Sequence, residues 1–313
     1  MRHSYFYHRD TETQSQRDGL TKPPILSEAV FSGWLVVRFF LKTSVSLCLC
    51  GAILIVGSVA QVPSPKSVLG FQPTDDKTIA DWGQIVDYFT KLDKASNRVL
   101  VKEIGRSELG RPMIVAFISS PRNIKNLDKF RSINQRLADP RTVANDAELA
   151  KLIADGKTIV SISCSIHSTE IVASQMSMNL AFELANANDA DTKEILDNTV
   201  LLLIPSPNPD GIQMVADWYR KTLGTKSEGT SPPELYHHYA GHDDNRDWFM
   251  FTQKETRMNI ALVQNKYKPI ITHDMHQQGG AGARIFVPPF TEPFDPNMHP
   301  LLRMGQATVG QAM

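Results

Sequence analysis

Cysteine is scarce in this chain of 313 residues: there are three, and Cys48 and Cys50 both fall in an apolar stretch near the N-terminus. Removal of that stretch leaves Cys164 alone and excludes an intramolecular disulfide. Cys164 lies in "TIVSISCSIHSTE", where a free thiol is expected to pack as a small buried hydrophobe. A surplus of either charge is missing too, since Lys plus Arg and Asp plus Glu each number 33. Without a net field or a basic run, nothing recruits nucleic acid. No internal repeat or low-complexity tract is present, which excludes solenoids and linker-like chains. A His-Glu-x-x-His helix is also absent, which removes one common metal-binding geometry.

What is present is an ordinary globular composition, 42% apolar and 21% charged. The length suits one large domain or two small ones. After a polar start, Arg38 and Lys42 precede an uncharged run from Thr43 to Ala60 that ends in Ser58-Val59-Ala60. Cationic flank, apolar centre and small residues at the end match a secretory signal, predicting export (secreted or periplasmic) after cleavage near Ala60. The alternative is membrane anchorage through residues 35–60, a run near spanning length. Residues 61–73 turn to Pro, Ser, Gly and Gln and read as a linker, with a single domain over 74–313.

Within that domain, Ile79, Trp82, Ile85, Val86, Phe89 and Leu92 recur at helical spacing. "RVLVKEIG" and "RPMIVAFISS" alternate as strands around a "RSELG" turn. Residues 121–156 are charged and helix-compatible, with no recognisable chemistry. "KTIVSISCS", "NTVLLLIPS" and "KPIITHDMH" read as apolar strands, and "EIVASQMSMNLAFELANA" as a helix capped by Thr169. Strands alternating with helices predict an α/β fold with a mixed, largely parallel sheet sandwiched by helices. Ligands of such sheets bind beyond the carboxyl ends of the strands, where His167 and His276 both fall.

Three short runs carry the chemistry: His167–Ser168–Thr169–Glu170, Asn245–Arg246, and His276. Two imidazoles and a carboxylate are a ligand set for catalytic zinc with a position left for water. Asn245 and Arg246 suit a substrate with a free carboxylate. Together they point to hydrolysis of a peptide at its C-terminal end. Blander readings exist for each: a loop His beside a dipole-complementing Glu, and a plain turn at Asn245–Arg246. His273 is a rival to His276 as ligand, and His237, His238 and His242 sit beside Asp243 and Asp244 in what reads as a solvated loop.

From about Thr78 to His276 the chain resembles the zinc carboxypeptidase family of carboxypeptidases A and B. The resemblance rests on "IGRSELGRPMIVAFIS", "IHSTE", "SPNPDG" with "WYRKT", "GHDDNRDW" and "DMHQ", in that order. It implies that His167, Glu170 and His276 hold one Zn2+ per chain. It further implies that Arg220 helps polarise the scissile carbonyl and stabilises the oxyanion, and that Asn245 and Arg246 dock the terminal carboxylate of a peptide or protein substrate. Asp243 falls where the family places a carboxylate against a ligand histidine.

The family also uses a general-base Glu and a capping Tyr well beyond the third ligand. Only 37 residues follow His276, their sole Glu is Glu292, and no Tyr follows Tyr267. The expectation is an incomplete domain that lacks its last strands and helix, and with them the general base. Gln277 and Gln278 replace the family's usual Ser and aromatic. Two other functions fit the same residues: a zinc-dependent deacylase of N-acyl amino acids, and a non-catalytic zinc- or peptide-binding relative.

Overall fold

The computed structural model describes residues 61–234, 237, 239–279, 285–289 and 295–313. The leader expected over 1–60, His238 and Glu292 lie outside them. Among the described residues no helix is long and apolar enough to cross a membrane. The elements begin with α1 (Pro65–Leu69), α2 (Trp82–Ala95), β1 (Val99–Arg106), β2 (Pro112–Ile118), α3 (Pro121–Lys125), α4 (Leu127–Leu137) and α5 (Asp146–Asp155). They continue with β3 (Thr158–Cys164), α6 (Ile171–Asn186), α7 (Ala190–Asn198), β4 (Thr199–Ile204) and α8 (Pro209–Thr222). After a 3-10 turn at Asp244–Arg246 come α9 (Lys254–Asn259), α10 (Asn265–Tyr267), β5 (Ile271–Met275) and α11 (Pro300–Ala312). A π-helical turn, Ile260–Gln264, joins α9 to α10.

The five strands are ordered β1-β2-β4-β3-β5. β1–β2 and β2–β4 run antiparallel, whereas β3 pairs in parallel with both β4 and β5. The sheet is therefore mixed, with its parallel half confined to β4, β3 and β5. The short "RSELG" connection forces the other half: a tight turn can only return β2 antiparallel to β1.

Alternation along β2 and β4 assigns the two faces. Ile114, Ala116, Ile118, Leu201 and Leu203 point one way, into a core completed by Trp82, Ile85, Phe89 and Leu92 of α2 and Met178 and Ala181 of α6. Val115, Phe117, Val200, Leu202 and Ile204 point the other way, against Leu127 and Phe130 of α4 and against Val263 and Tyr267. Helices thus cover both faces, as a strand buried on both sides requires. The charged segment 121–156 contributes to this second core through α4. Cys164 is fully buried in the first, and burial pushes its thiol up to about 12.

Two local readings change. Residues 61–73, expected as a linker, carry α1, whose Val68 and Leu69, with Val62 and Phe71, pack against the first core. Ser64 caps that helix and Pro65 starts it, where a missing N–H costs nothing. The helix after the His167–Glu170 loop begins at Ile171, so Glu170 and not Thr169 occupies its N-cap position, with no side-chain cap bond of its own. The Glu170 carboxylate is engaged elsewhere, as described below.

Phe117 is fully buried and packs on Tyr267 with ring centroids 5.0 Å apart. Phe117→Ala is expected to lower unfolding stability by about 3–5 kcal/mol in urea titrations. Ile195→Ala, at a side chain 55% exposed, should change it by less than about 0.5 kcal/mol.

Candidate metal centre

Cys164, the last residue of β3, is the register partner of Met275, the last residue of β5. Whatever follows those residues emerges at one end of the sheet. His276 follows Met275 directly, and the loop after Cys164 carries His167 and Glu170. This loop is shaped by Ser165, whose φ of 50° is left-handed and disfavoured for any residue but glycine. The serine is held there by its own hydroxyl, which donates to the Glu170 carbonyl and accepts from Ser174 N at 2.9 Å. Ser206 Oγ donates to the Ser165 carbonyl at 3.0 Å, and Asn208 Nδ2 to the Ile166 carbonyl at 3.2 Å. A turn bond from Glu170 N to the His167 carbonyl, 3.0 Å, then brings the two side chains together.

Glu170 bridges both histidines. Its Oε1 lies 2.9 Å from His167 Nδ1 and its Oε2 lies 3.1 Å from His276 Nδ1. One ligand atom from each of the three residues falls within 4.8 Å of the other two. Each far ring nitrogen faces a carboxylate: His167 Nε2 is 3.4 Å from Asp243 Oδ2, and His276 Nε2 is 2.9 Å from Asp274 Oδ2. Those acceptors favour the tautomer with the proton on Nε2, which leaves both Nδ1 lone pairs directed at Glu170. Three carboxylates around two imidazoles call for a cation. The donor set of two nitrogens and one carboxylate, on a cluster whose His276 side chain is 34% exposed, fits zinc with an open position. The hydrogen bond to Asp274, followed by the charges of Asp274 and Glu170, raises the His276 pKa against the effect of burial. His273 makes no part of the cluster.

The other expected residues are distributed around it. Asn245 and Arg246 sit in the 3-10 turn beside Asp243. The Arg246 guanidinium is exposed, with no ion pair among the described residues, and Asn245 Oδ1 accepts from Trp248 Nε1 at 3.3 Å. Arg220 is placed differently. It stands in the last turn of α8, and its guanidinium donates to Asp81 Oδ2 at 2.6 Å, Gln84 Oε1 at 2.8 Å and the Ile79 carbonyl at 3.1 Å. Those contacts brace the capped N-terminus of α2 and do not reach the ligand cluster.

Part of the loop expected to be solvated is instead buried. His237, Asp243, Asp244 and Asp247 are each less than 5% exposed. Asp247 resists the cost of burial through hydrogen bonds from Thr252, Thr256, Gln253 N and His242, and its carboxyl is held below the usual range. Asp244 has no such partners: both its oxygens are buried and unbonded among the described residues. Burial, then the nearby charges of Glu255, Asp247, Asp243 and Asp210, push its pKa up to about 8.

Residues that sequence reasoning left without a role complete the frame. Asp210 of "SPNPDG" is buried and binds the "RSELGR" turn three ways, through Ser107 Oγ (2.8 Å), Leu109 N (3.0 Å) and Arg111 Nη1 (2.8 Å). Asn208 caps α8 through Gly211 N at 2.8 Å while holding the loop that carries His167 and Glu170. Gln277 donates its backbone N–H to Glu170 Oε2 at 2.9 Å, and its side-chain Oε1 accepts from Val172 N at 3.3 Å. An Asn-Pro-Asp-Gly run is a recognisable cap signal. The Gln277 contact has no local signal, because its partners lie 107 and 105 residues away.

A buried carboxyl with a raised pKa stabilises the fold only while protonated. Its contribution is complete below the ordinary Asp range near pH 4 and is lost as pH rises towards about 8. Asp244→Asn removes this titration. Its melting temperature relative to wild type is therefore expected to climb between pH 5 and pH 8, and a gap that stays constant across thermal melts would show that Asp244 is not raised.

A family model described as zinc carboxypeptidase matches residues 85–279. No curated protein sequence matches the chain. Among solved structures, similarity is found to a metallo-carboxypeptidase from Burkholderia cenocepacia at 18% identity, covering 64% of this chain and 42% of that one, with a TM-score of 0.41. Carboxypeptidase A from Helicoverpa armigera is 16% identical, covering 69% of this chain and 52% of that one, with a TM-score of 0.40. A metallo-carboxypeptidase from Pseudomonas aeruginosa, in complex with (2-guanidinoethylmercapto)succinic acid, is 14% identical, covering 63% and 38%, with a TM-score of 0.37. The chain spans about half or less of the length of these three proteins.

Proposed function

Because the chain belongs to the zinc carboxypeptidase family, we propose that it is an exported metallopeptidase acting at the free C-terminus of peptides. The observation that carries this reading is the convergence of His167, Glu170 and His276 at the ends of adjacent parallel strands. Zinc bound there would supply a Lewis acid and a water made nucleophilic near neutral pH. The chain's own residues do the rest. Arg246, exposed and without a carboxylate partner, receives the substrate's terminal carboxylate, and Asn245 donates its amide to the same group. Asp243 keeps His167 in the ligating tautomer. The resemblance assigns Arg220 the developing oxyanion, but its guanidinium is engaged by Asp81, Gln84 and the Ile79 carbonyl, so this reading gives it no part at the cluster.

A second reading is a zinc- and peptide-binding relative without turnover. One observation favours it: among the described residues at the cluster no carboxylate is spare. Glu170 is a ligand, while Asp243 and Asp274 face the ligand imidazoles. Cleavage of the terminal residue by the metal-loaded chain separates the two readings. Hydrolysis of N-acyl amino acids in preference to peptides would point to a deacylase.

Elemental analysis is expected to find about one zinc per wild-type chain and a near-complete loss in His167→Ala and His276→Ala. A well-folded wild type without zinc overturns the metal reading. For substrate, Arg246→Ala should weaken binding of a free-acid peptide about 10–100-fold, the loss of one charge-assisted bond pair. By fluorescence titration the same change should leave a C-terminally amidated peptide unaffected.

A further inference from the structure

Aspartate is a poor strand former, and a partly buried carboxylate in a sheet has to be repaid by a partner. Asp274 is the fourth residue of β5, pairs in register with Ser163, and has a side chain only 32% exposed. Its Oδ1 is buried without a partner among the described residues, so neighbouring backbone and side chains do not explain why a carboxylate stands there. Its Oδ2 makes one close contact, 2.9 Å to His276 Nε2. Because Asp274 precedes His276 by two residues, the imidazole folds back along its own strand to reach the carboxylate. The other ring nitrogen, Nδ1, then faces Glu170 at 3.1 Å.

We infer that Asp274 is a positioning residue for the metal centre: it holds His276 by Nε2 so that Nδ1 presents its lone pair to the cation. This inference rests on the zinc reading of the cluster and extends it to a residue outside the ligand set. The two imidazoles are thereby oriented by separate carboxylates from different parts of the chain. Asp243 approaches His167 across the site from the loop before the 3-10 turn, at 3.4 Å, whereas Asp274 acts on His276 from within its strand, at 2.9 Å. The shorter contact belongs to the more exposed histidine, 34% against 19%, whose ring has less packing to restrain it. A carboxylate at Nε2 fixes the ring and makes the opposite nitrogen a stronger donor to the metal. Asp274 does not touch substrate, so its effect runs entirely through His276.

The test uses the full chain stripped of metal and titrated with Zn2+ against a chromophoric chelator, for wild type, Asp274→Asn and Asp274→Ala. Both variants are expected to bind zinc about 10–100-fold more weakly, with Asp274→Ala the weaker. A second readout separates positioning from a general loss of structure. In 15N-labelled, zinc-loaded wild type, the His276 ring should show a protonated Nε2 shielded from exchange. That proton should exchange faster in Asp274→Ala, while the His167 ring signals stay unchanged. If Asp274→Ala fails to fold, Asp274→Asn, which keeps size and an acceptor oxygen, decides alone through its affinity loss. Unchanged zinc affinity in a folded variant, with the His276 signal intact, overturns the role of Asp274 and leaves the zinc reading standing. Absence of zinc binding by wild type overturns the metal reading, and this inference with it.

Discussion

Everything at the candidate centre depends on the parallel register of β3 with β5. Strand side chains have a period of two, so a slip of one residue would exchange the faces that Asp274 and Met275 occupy and carry His276 away from Glu170. Cys164 against Met275 is therefore more than a core contact. It sets the distance between two loops whose ligand residues are separated by 106 positions in sequence. The apolar residues of β3, β4 and the helices on both faces hold that register. The polar network at the strand ends, Ser165, Ser206 and Asn208, converts it into a defined loop shape.

The same network shows how polar groups are tolerated so deep in the fold. Asp210 and Asp247 are buried yet well supplied with donors, and each ties segments that would otherwise be loose: Asp210 the β1–β2 turn, and Asp247 the approach to α9. Asp244 sits beside Asp243 without such donors. The 3-10 turn is thus flanked by Asp247, which satisfies its burial, and begins on Asp244, which does not. The strain of burying charge is concentrated next to the side chains assigned to the carboxylate clamp, which is where local rearrangement would matter most.

How much of this was legible in the sequence depends on the range of the contacts. The periodicity of Trp82, Ile85, Phe89 and Leu92 declared α2, and the apolar runs declared all five strands, because both signals are local. The convergence of His167, Glu170 and His276 was legible because ligand chemistry limits the candidates and strand ends are where sites form. α1 was not, since five residues starting with proline carry no periodicity. The burial of Asp243 and Asp244 was hidden by their polarity, which ordinarily signals solvent. Arg220 was assigned by resemblance to the reacting centre, but its partner Asp81 lies 139 residues away, and nothing near either residue announces the pair. Arg246, in contrast, stays open to solvent.

β5 ends the sheet on its side among the described residues, so one neighbour alone holds it by backbone pairing. An edge strand is ordinarily among the first parts of a sheet to open transiently. Here it also leads directly into His276, of the candidate metal cluster, and into Gln277, which straps the start of α6. An ion held by His276 would therefore act as a clasp on the sheet margin: every opening of β5 would have to release a ligand as well as its backbone bonds. Metal occupancy and the integrity of that margin become one equilibrium, with the ion's affinity added to the strand's own stability.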